Sequence, residues 1–434
     1  MNSDGVQRQA RECRHQAAGE PPHRVTIAAA RRRVVRRRAM EAVAGTAVLA
    51  AVISAAVPAL GGVLGAASTR AVRGPAERTP TAYVVNEISN TVTPVNTATN
   101  TTGRPIKVAR FPQSIAITPD GKTAYVASWA TTIGRPGSVT PVNTATNTPG
   151  RPFKVGVTPI AIAITPDSRT AYIANVGSNT VTPVNTATNK PGRPIPVGVR
   201  PRAIAITPDG KTAYVVNRGD ITGTGPGTVT PITTATNKPG KPIPVGSGPS
   251  AIAITPDGTT AYVANGGSDT VTPITTATNK PGQTIQVGNG PDAIAITPNG
   301  KTAYVTGITR SGTVTPVNTA TNTPGKPIKV AEVPNAIAIT PDGRTAYVVS
   351  NPGFGGKGSN AVTPISTATN RPGKPIPVGE GALGIAITPD GKTAYVANSG
   401  YDRGNTVTPI STATNTAGKL IQVGKGPDAI AITP

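Results

Sequence analysis

From Thr81 to the C-terminus, short apolar runs alternate with turns rich in Gly, Pro, Asn and Asp, and the whole pattern recurs eight times. The word Thr-Ala-Tyr marks each copy, with tyrosines at Tyr83, Tyr125, Tyr172, Tyr214, Tyr262, Tyr304, Tyr347 and Tyr395 and gaps of 42 to 48 residues. Runs this short are strands, and a period of this length built from strands and turns is that of propeller blades. Within one copy, Ala203–Thr207 reads as strand A and Pro208-Asp209-Gly210-Lys211 as a tight turn. In that turn Pro presets φ, Asp bonds its own backbone and Gly accepts positive φ. Thr212–Asn217 reads as strand B, Thr228–Thr233 as strand C and Pro242–Gly246 as strand D. The proline inside every strand C (Pro231 in this copy) predicts a local break there, with strand D short and loosely paired.

The array opens on a strand B (Ala82–Asn86) and closes on a strand A (Ala429–Thr433). Pairing these ends completes an eighth blade and removes an exposed inner edge. The expected fold is therefore all-β: an eight-bladed β-propeller of four-stranded antiparallel blades over 81–434, closed by the C-terminal strand A on the N-terminal strands B, C and D. In such a meander the A–B and C–D turns emerge on one face, and the B–C and D–A loops on the other. The first pair is nearly invariant among the eight copies; the second varies in length and residues.

The words Ile252-Ala253-Ile254-Thr255-Pro256-Asp257-Gly258, Thr260-Ala261-Tyr262-Val263-Ala264-Asn265 and Thr276-Ala277-Thr278-Asn279 resemble YVTN-family β-propeller repeats. The resemblance covers 81–434 and departs in strand C, where this chain writes Pro-Val-Asn or Pro-Ile-Thr. It implies an exported or surface-layer-type propeller, commonly of unassigned activity. Seven blades are frequent in that family, so the count of eight rests on this sequence.

The N-terminal eighty residues read as an address. A basic region expected to be disordered (1–41) contains six arginines between Arg31 and Arg38, and the stretch 42–68 carries no charge. That order is an export signal, and its length also suits a membrane anchor. The expected location is extracellular or at the cell surface, with 69–80 as a linker.

Chemistry is thinly supplied. The single Cys13 and both histidines, His15 and His23, precede the array. A His-based triad, a haem ligand and a Cys-based zinc site are thereby excluded from the repeats. No catalytic residue, metal or cofactor is predicted. Carboxylates outside the A–B turns include Asp220, Asp269, Asp292, Glu332 and Asp428, and a weak calcium site among those on the variable face stays open. The unusual side chains of that face are the candidate partner-binding residues: Arg110, Phe111, Trp129, Arg135, Arg200, Arg202, Arg218, Phe354, Tyr401 and Arg403. Arg and aromatic residues are what interface anchors are made of.

The net charge of +23 divides into +8 over 1–80 and +15 over 81–434. It suits a protein or an anionic cell-envelope polymer as partner, and nucleic acid is not favoured in the absence of a dense basic run. The expected function is a non-enzymatic, monomeric surface scaffold or binding module. The alternative is a secreted lactonase-like or quinoprotein-like enzyme with its site at the central channel mouth.

Overall fold

The structure, a computed structural model, describes residues 79–132, 134–220, 222–308, 312–352, 360–400 and 404–434. The N-terminal address segments lie outside these residues. Among the described residues no helix is long and apolar enough to cross a membrane.

Eight antiparallel sheets form a ring. Their inner strands A are Pro112–Ile117, Pro159–Ile164, Pro201–Ile206, Pro249–Ile254, Pro291–Ile296, Pro334–Ile339, Ala382–Ile387 and Pro427–Ile432. Each packs beside the next around the axis, and the last packs beside the first. Strand Pro427–Ile432 pairs with Thr81–Asn86, matching Val84 to Ile430 and Ala82 to Ile432. The chain ends thus share one blade, as the strand order predicts. We number the blades by their tyrosines, so this shared one is blade 1.

Strand B is buried along almost its whole length in every blade. Its two faces meet different neighbours, which explains an unbroken apolar run where a half-exposed strand would alternate. The core is accordingly distributed between blades. Tyr172 and Ala174 of blade 3 pack on Ile204, Ala213 and Val215 of blade 4, and Tyr395 and Ala397 of blade 8 pack on Ala82, Val84 and Ile430 of blade 1.

The repeated words acquire reasons from these junctions. The Tyr83 hydroxyl donates to Asn147 Oδ1 at 2.6 Å and to the Thr144 carbonyl at 3.1 Å, both in the C–D turn of the next blade. The same clasp runs round the circle and ends with Tyr395 on Asn100 Oδ1 at 2.6 Å. Each of these asparagines is left-handed, with φ between 53 and 56°, a conformation Asn tolerates better than most residues. Thr144 in turn donates its hydroxyl to the Gly121 carbonyl, tying the C–D turn to the A–B turn of its own blade. The invariant face is a ring of clasps.

A second junction matches small residues. Strand B of blade 8 ends in buried Asn398, whose Nδ2 donates to Thr408 Oγ1 at 2.9 Å, and Gly379 of the preceding blade lies against it. A Cβ on Gly379 would sit 2.6 Å from Asn398 Cγ. Where strand B ends in serine instead, the facing residue is alanine: Ser128 bonds the Ala109 carbonyl at 3.2 Å, and Ser350 bonds that of Ala331 at 3.0 Å.

The expected break in strand C is corrected. Strand C is continuous, with Tyr83 opposite Pro94 in an unbroken B–C ladder. A residue's N–H and C=O point to the same side of a strand, and the Pro94 carbonyl accepts from Gly103 of strand D at 2.8 Å. The missing donor therefore faces outward. It is strand D that splits, into Thr101–Thr102 and Ile106–Lys107 on either side of the proline.

Candidate functional site at the channel mouth

Each strand A enters from a D–A loop and begins with a β-bulge. In blade 4 the pairing runs from Pro201 opposite Asn217 to Ala203 opposite Val216, leaving Arg202 as the extra residue. The other blades bulge at the same place, for example between Pro159 and Ala161 or between Pro291 and Ile294. Bulges re-aim side chains. Here they set one side chain per blade at the start of the innermost strand, at the end of the ring where the B–C and D–A loops lie. Both loops are stitched together there, as where Val176 N–H donates to the Thr158 carbonyl at 3.0 Å.

The second residue of strand A varies far more than its neighbours, which are Pro and Ala in most blades. It is apolar in blades 3 and 8 (Ile160, Leu383), neutral and polar in blades 2, 5 and 7 (Gln113, Ser250, Asn335), and charged in blades 4, 6 and 1 (Arg202, Asp292, Asp428). Two of these side chains reach the following blade. Ser250 Oγ bonds the Pro291 and Asp292 carbonyls at 3.1 and 3.0 Å, and Asn335 Nδ2 reaches the Ala382 carbonyl at 3.3 Å. Arg202 of blade 4 and Asp292 of blade 6 attract one another electrostatically.

The strongest perturbations of charge on the described residues meet at this point. Arg202 and Asp292 are buried, while Arg200 and Arg218 are half-buried in the loops above them. Burial pushes the Asp292 carboxyl up to about 7, against the pull of Arg202 and Arg218. Burial also brings the Arg202 guanidinium down to about 10, helped by the like charges of Arg218 and Arg200 and opposed by Asp292. Desolvation outweighs the attraction of opposite charges on both groups. Asp292 Oδ2, Arg200 Nε and Arg218 Nε are buried without a hydrogen-bond partner in the protein. Leaving charged atoms unsatisfied is costly, and such atoms mark sites built for something else to fill them.

The loops hold this cluster in place through backbone contacts. Arg218 N–H donates to the Arg200 carbonyl at 3.1 Å, and Arg200, itself left-handed with φ 58°, donates its N–H to Asn179 Oδ1 at 2.8 Å. Asp220 is spent on its own loop, accepting from Gly223 N–H at 2.6 Å and Gly225 N–H at 3.0 Å.

The structure thus gathers Arg200, Arg202 and Arg218 from the sequence candidates. The rest of that set is not gathered with them. Trp129 is half-buried, and its ring N–H donates to the Pro159 carbonyl at 2.9 Å, so it fastens a blade 2 loop onto blade 3. Phe111 is half-buried with φ 55°, while Arg110 and Arg135 are exposed. Phe354, Tyr401 and Arg403 lie outside the described residues. Asp292, named from the sequence only among the carboxylates open to a calcium site, is not one of the partner-binding candidates, although aligning the eight strand A words singles out its position. Among the described residues no three His, Cys, Asp or Glu side chains come together as a metal site would require.

Residues 193–324 match the family model of the lactonase, 7-bladed beta-propeller. That stretch carries all four residues of the cluster. No curated protein matches the chain. Among solved structures, dihydro-heme d1 dehydrogenase NirN is 16% identical, with 83% of this chain and 76% of that one covered and a TM-score of 0.68. A Bacteroides fragilis protein described as a candidate 6-phosphogluconolactonase is 17% identical over 83% and 100%, with a TM-score of 0.54. Kuenenia stuttgartiensis hydrazine synthase is 24% identical over 63% and 88%, with a TM-score of 0.53. At these identities the solved structures show the fold. The expectation of a non-enzymatic module is corrected by the family match, since the model that fits 193–324 is that of an enzyme-type propeller, the lactonase.

Proposed function

We propose that the protein is an exported hydrolase of the lactonase kind, with its site at the channel mouth on the B–C/D–A face. The observation that carries this reading is a buried carboxyl with an unsatisfied oxygen, Asp292 Oδ2, under the charge of Arg202 and Arg218 within the lactonase-matched stretch. A carboxyl poised near 7 exchanges its proton at the pH where it works, as a general base must. Asp292 would take a proton from water as the water oxygen attacks the lactone carbonyl. Arg202 or Arg218 would hold the developing oxyanion. The ring C–O bond then breaks, and the departing alkoxide recovers the proton from Asp292, giving the open hydroxy acid. Arg200 and Arg218, in the more accessible layer, favour a substrate that carries an anionic group.

Export is supported by the six arginines before the uncharged stretch 42–68, and YVTN-type repeats by the words quoted above. The test of the activity is hydrolysis of sugar lactones with and without a phosphate, followed by proton release. The expected result is turnover favouring the phosphorylated lactone and lost in Asp292→Asn. Hydrolysis no faster than in buffer for either class refutes the reading.

A further inference from the structure

The charge of the propeller is concentrated on its outermost edge. In each blade the eight residues from the left-handed asparagine through the second half of strand D (Asn100–Lys107 in blade 1) form the strand farthest from the axis. Across the eight blades these segments hold fourteen Lys and Arg and no Asp or Glu. They therefore account for +14 of the +15 carried by 81–434, and the remainder of the propeller is almost neutral. Every one of the fourteen is exposed.

The belt has no gap. At all eight junctions the end of one segment lies against the start of the next blade's, including the junction of blade 8 with blade 1. Seven of the eight blades place Lys or Arg directly after the glycine of the C–D turn, among them Arg104, Arg151, Arg193 and Lys241. Five of the six basic residues of the A–B turns are different, Lys301 following Asn299 being the exception. Lys122 stands 3.4 Å from Asp120 and Lys211 3.4 Å from Asp209, each neutralised by the acid of its own turn.

We propose that this belt binds a flexible single-chain polyanion of repeating phosphate groups that follows the circumference. Exposed cations without fixed partners select by charge density and not by shape, which favours phosphate repeats over more widely spaced carboxylates. A flat anionic bilayer could touch only part of a band that curves through a full circle. A flexible chain can meet several blades at once, and binding to linked sites gains from effective concentration.

The probe is linear polyphosphate of about a hundred units, with affinity measured against salt; each phosphate contact adds about −0.7 to the slope of log K on log salt. A slope steeper than about −4 is expected, with tripolyphosphate at least about tenfold weaker. Two full-length variants separate the belt from net charge. One replaces Arg151, Lys154, Lys190, Arg193, Lys238 and Lys241 by Gln; the other replaces Lys122, Arg169, Lys211, Lys301, Arg344 and Lys392 by Gln. The first is expected to weaken binding by about tenfold or more and to flatten the slope, and the second by less than about twofold. All replaced side chains are exposed, so both variants keep the wild-type melting profile. Equal losses in the two variants would overturn the proposal, as would equal binding of polyglutamate or of phosphatidylglycerol vesicles.

Discussion

Replacing Asp292 by Asn separates what the carboxyl does for the fold from what it does for the reaction. Asp292 is raised from 3.8 to about 7, so the folded protein holds that proton more tightly than the unfolded chain does. The sign follows from linkage. A raised carboxyl contributes stability that is fully present below pH 4 and is lost as pH rises through about 7. Roughly three pKa units at about 1.4 kcal/mol each set a ceiling of about 4 kcal/mol on that loss. The pull of Arg202 and Arg218 is already contained in the shift. The amide of the Asp292→Asn variant stands in for the protonated acid, so the variant should match wild type near pH 4 and exceed it by as much as about 4 kcal/mol near pH 8. Urea unfolding of both proteins from pH 4 to 8 measures this, because every other titrating group cancels in the difference. Activity should move the other way: the pH–rate profile of wild type rises through about 7, and the variant loses about 10²–10⁴ in rate. A more stable but inactive variant is the signature of a site kept strained for function. A stability difference that does not change with pH would refute the placement of a desolvated, titrating carboxyl at this position.

Other perturbations test the ring. Tyr395→Phe removes the clasp onto Asn100 Oδ1 and should cost about 1–3 kcal/mol in urea unfolding, with Tyr214→Phe costing the same because its clasp on Asn279 is equivalent; a loss confined to Tyr395 would show that the junctions are not equal. Gly379→Ala should destabilise by about 1–3 kcal/mol through its contact with Asn398, and adding Asn398→Ser should restore most of it, since Ala109 with Ser128 and Ala331 with Ser350 already form such pairs. Additive losses in the double variant would contradict that matching. Deleting Ala429–Pro434 strips the partner from Thr81–Asn86 and should lower the melting temperature sharply; an unchanged melt would contradict the shared blade.

Blade number, strand order, ring closure and the two unlike faces were legible in the sequence, because each follows from local periodicity and turn chemistry. What depended on contacts between blades was not. Thr-Ala-Thr-Asn reads as a turn, but its asparagine is also the acceptor for a tyrosine more than sixty residues earlier in most blades. The strand C proline predicts a break because sequence does not say which side of the strand needs its donor. At the site, Arg200, Arg202 and Arg218 stood out as departures from the repeat. Asp292 stands at the same variable strand A position, but its weight comes from its burial and from the charge of Arg202 and Arg218, which the sequence does not show.

Repetition and chemistry exclude one another in this molecule, and that sorts the residues. A side chain present in all eight blades meets eight equivalent surroundings, so it can serve only a contact that recurs eight times, as the tyrosines do. A reaction needs unlike groups facing a single point. The ring supplies that where eight equivalent bulges carry different residues, since the backbone fixes their positions and leaves their identities free. The belt is the intermediate case: its cations recur, no blade is singled out, and what they fit is a ligand that itself repeats. In the Asp292 cluster the symmetry is broken instead, with one acid and its arginines drawn from blades 4 and 6 alone.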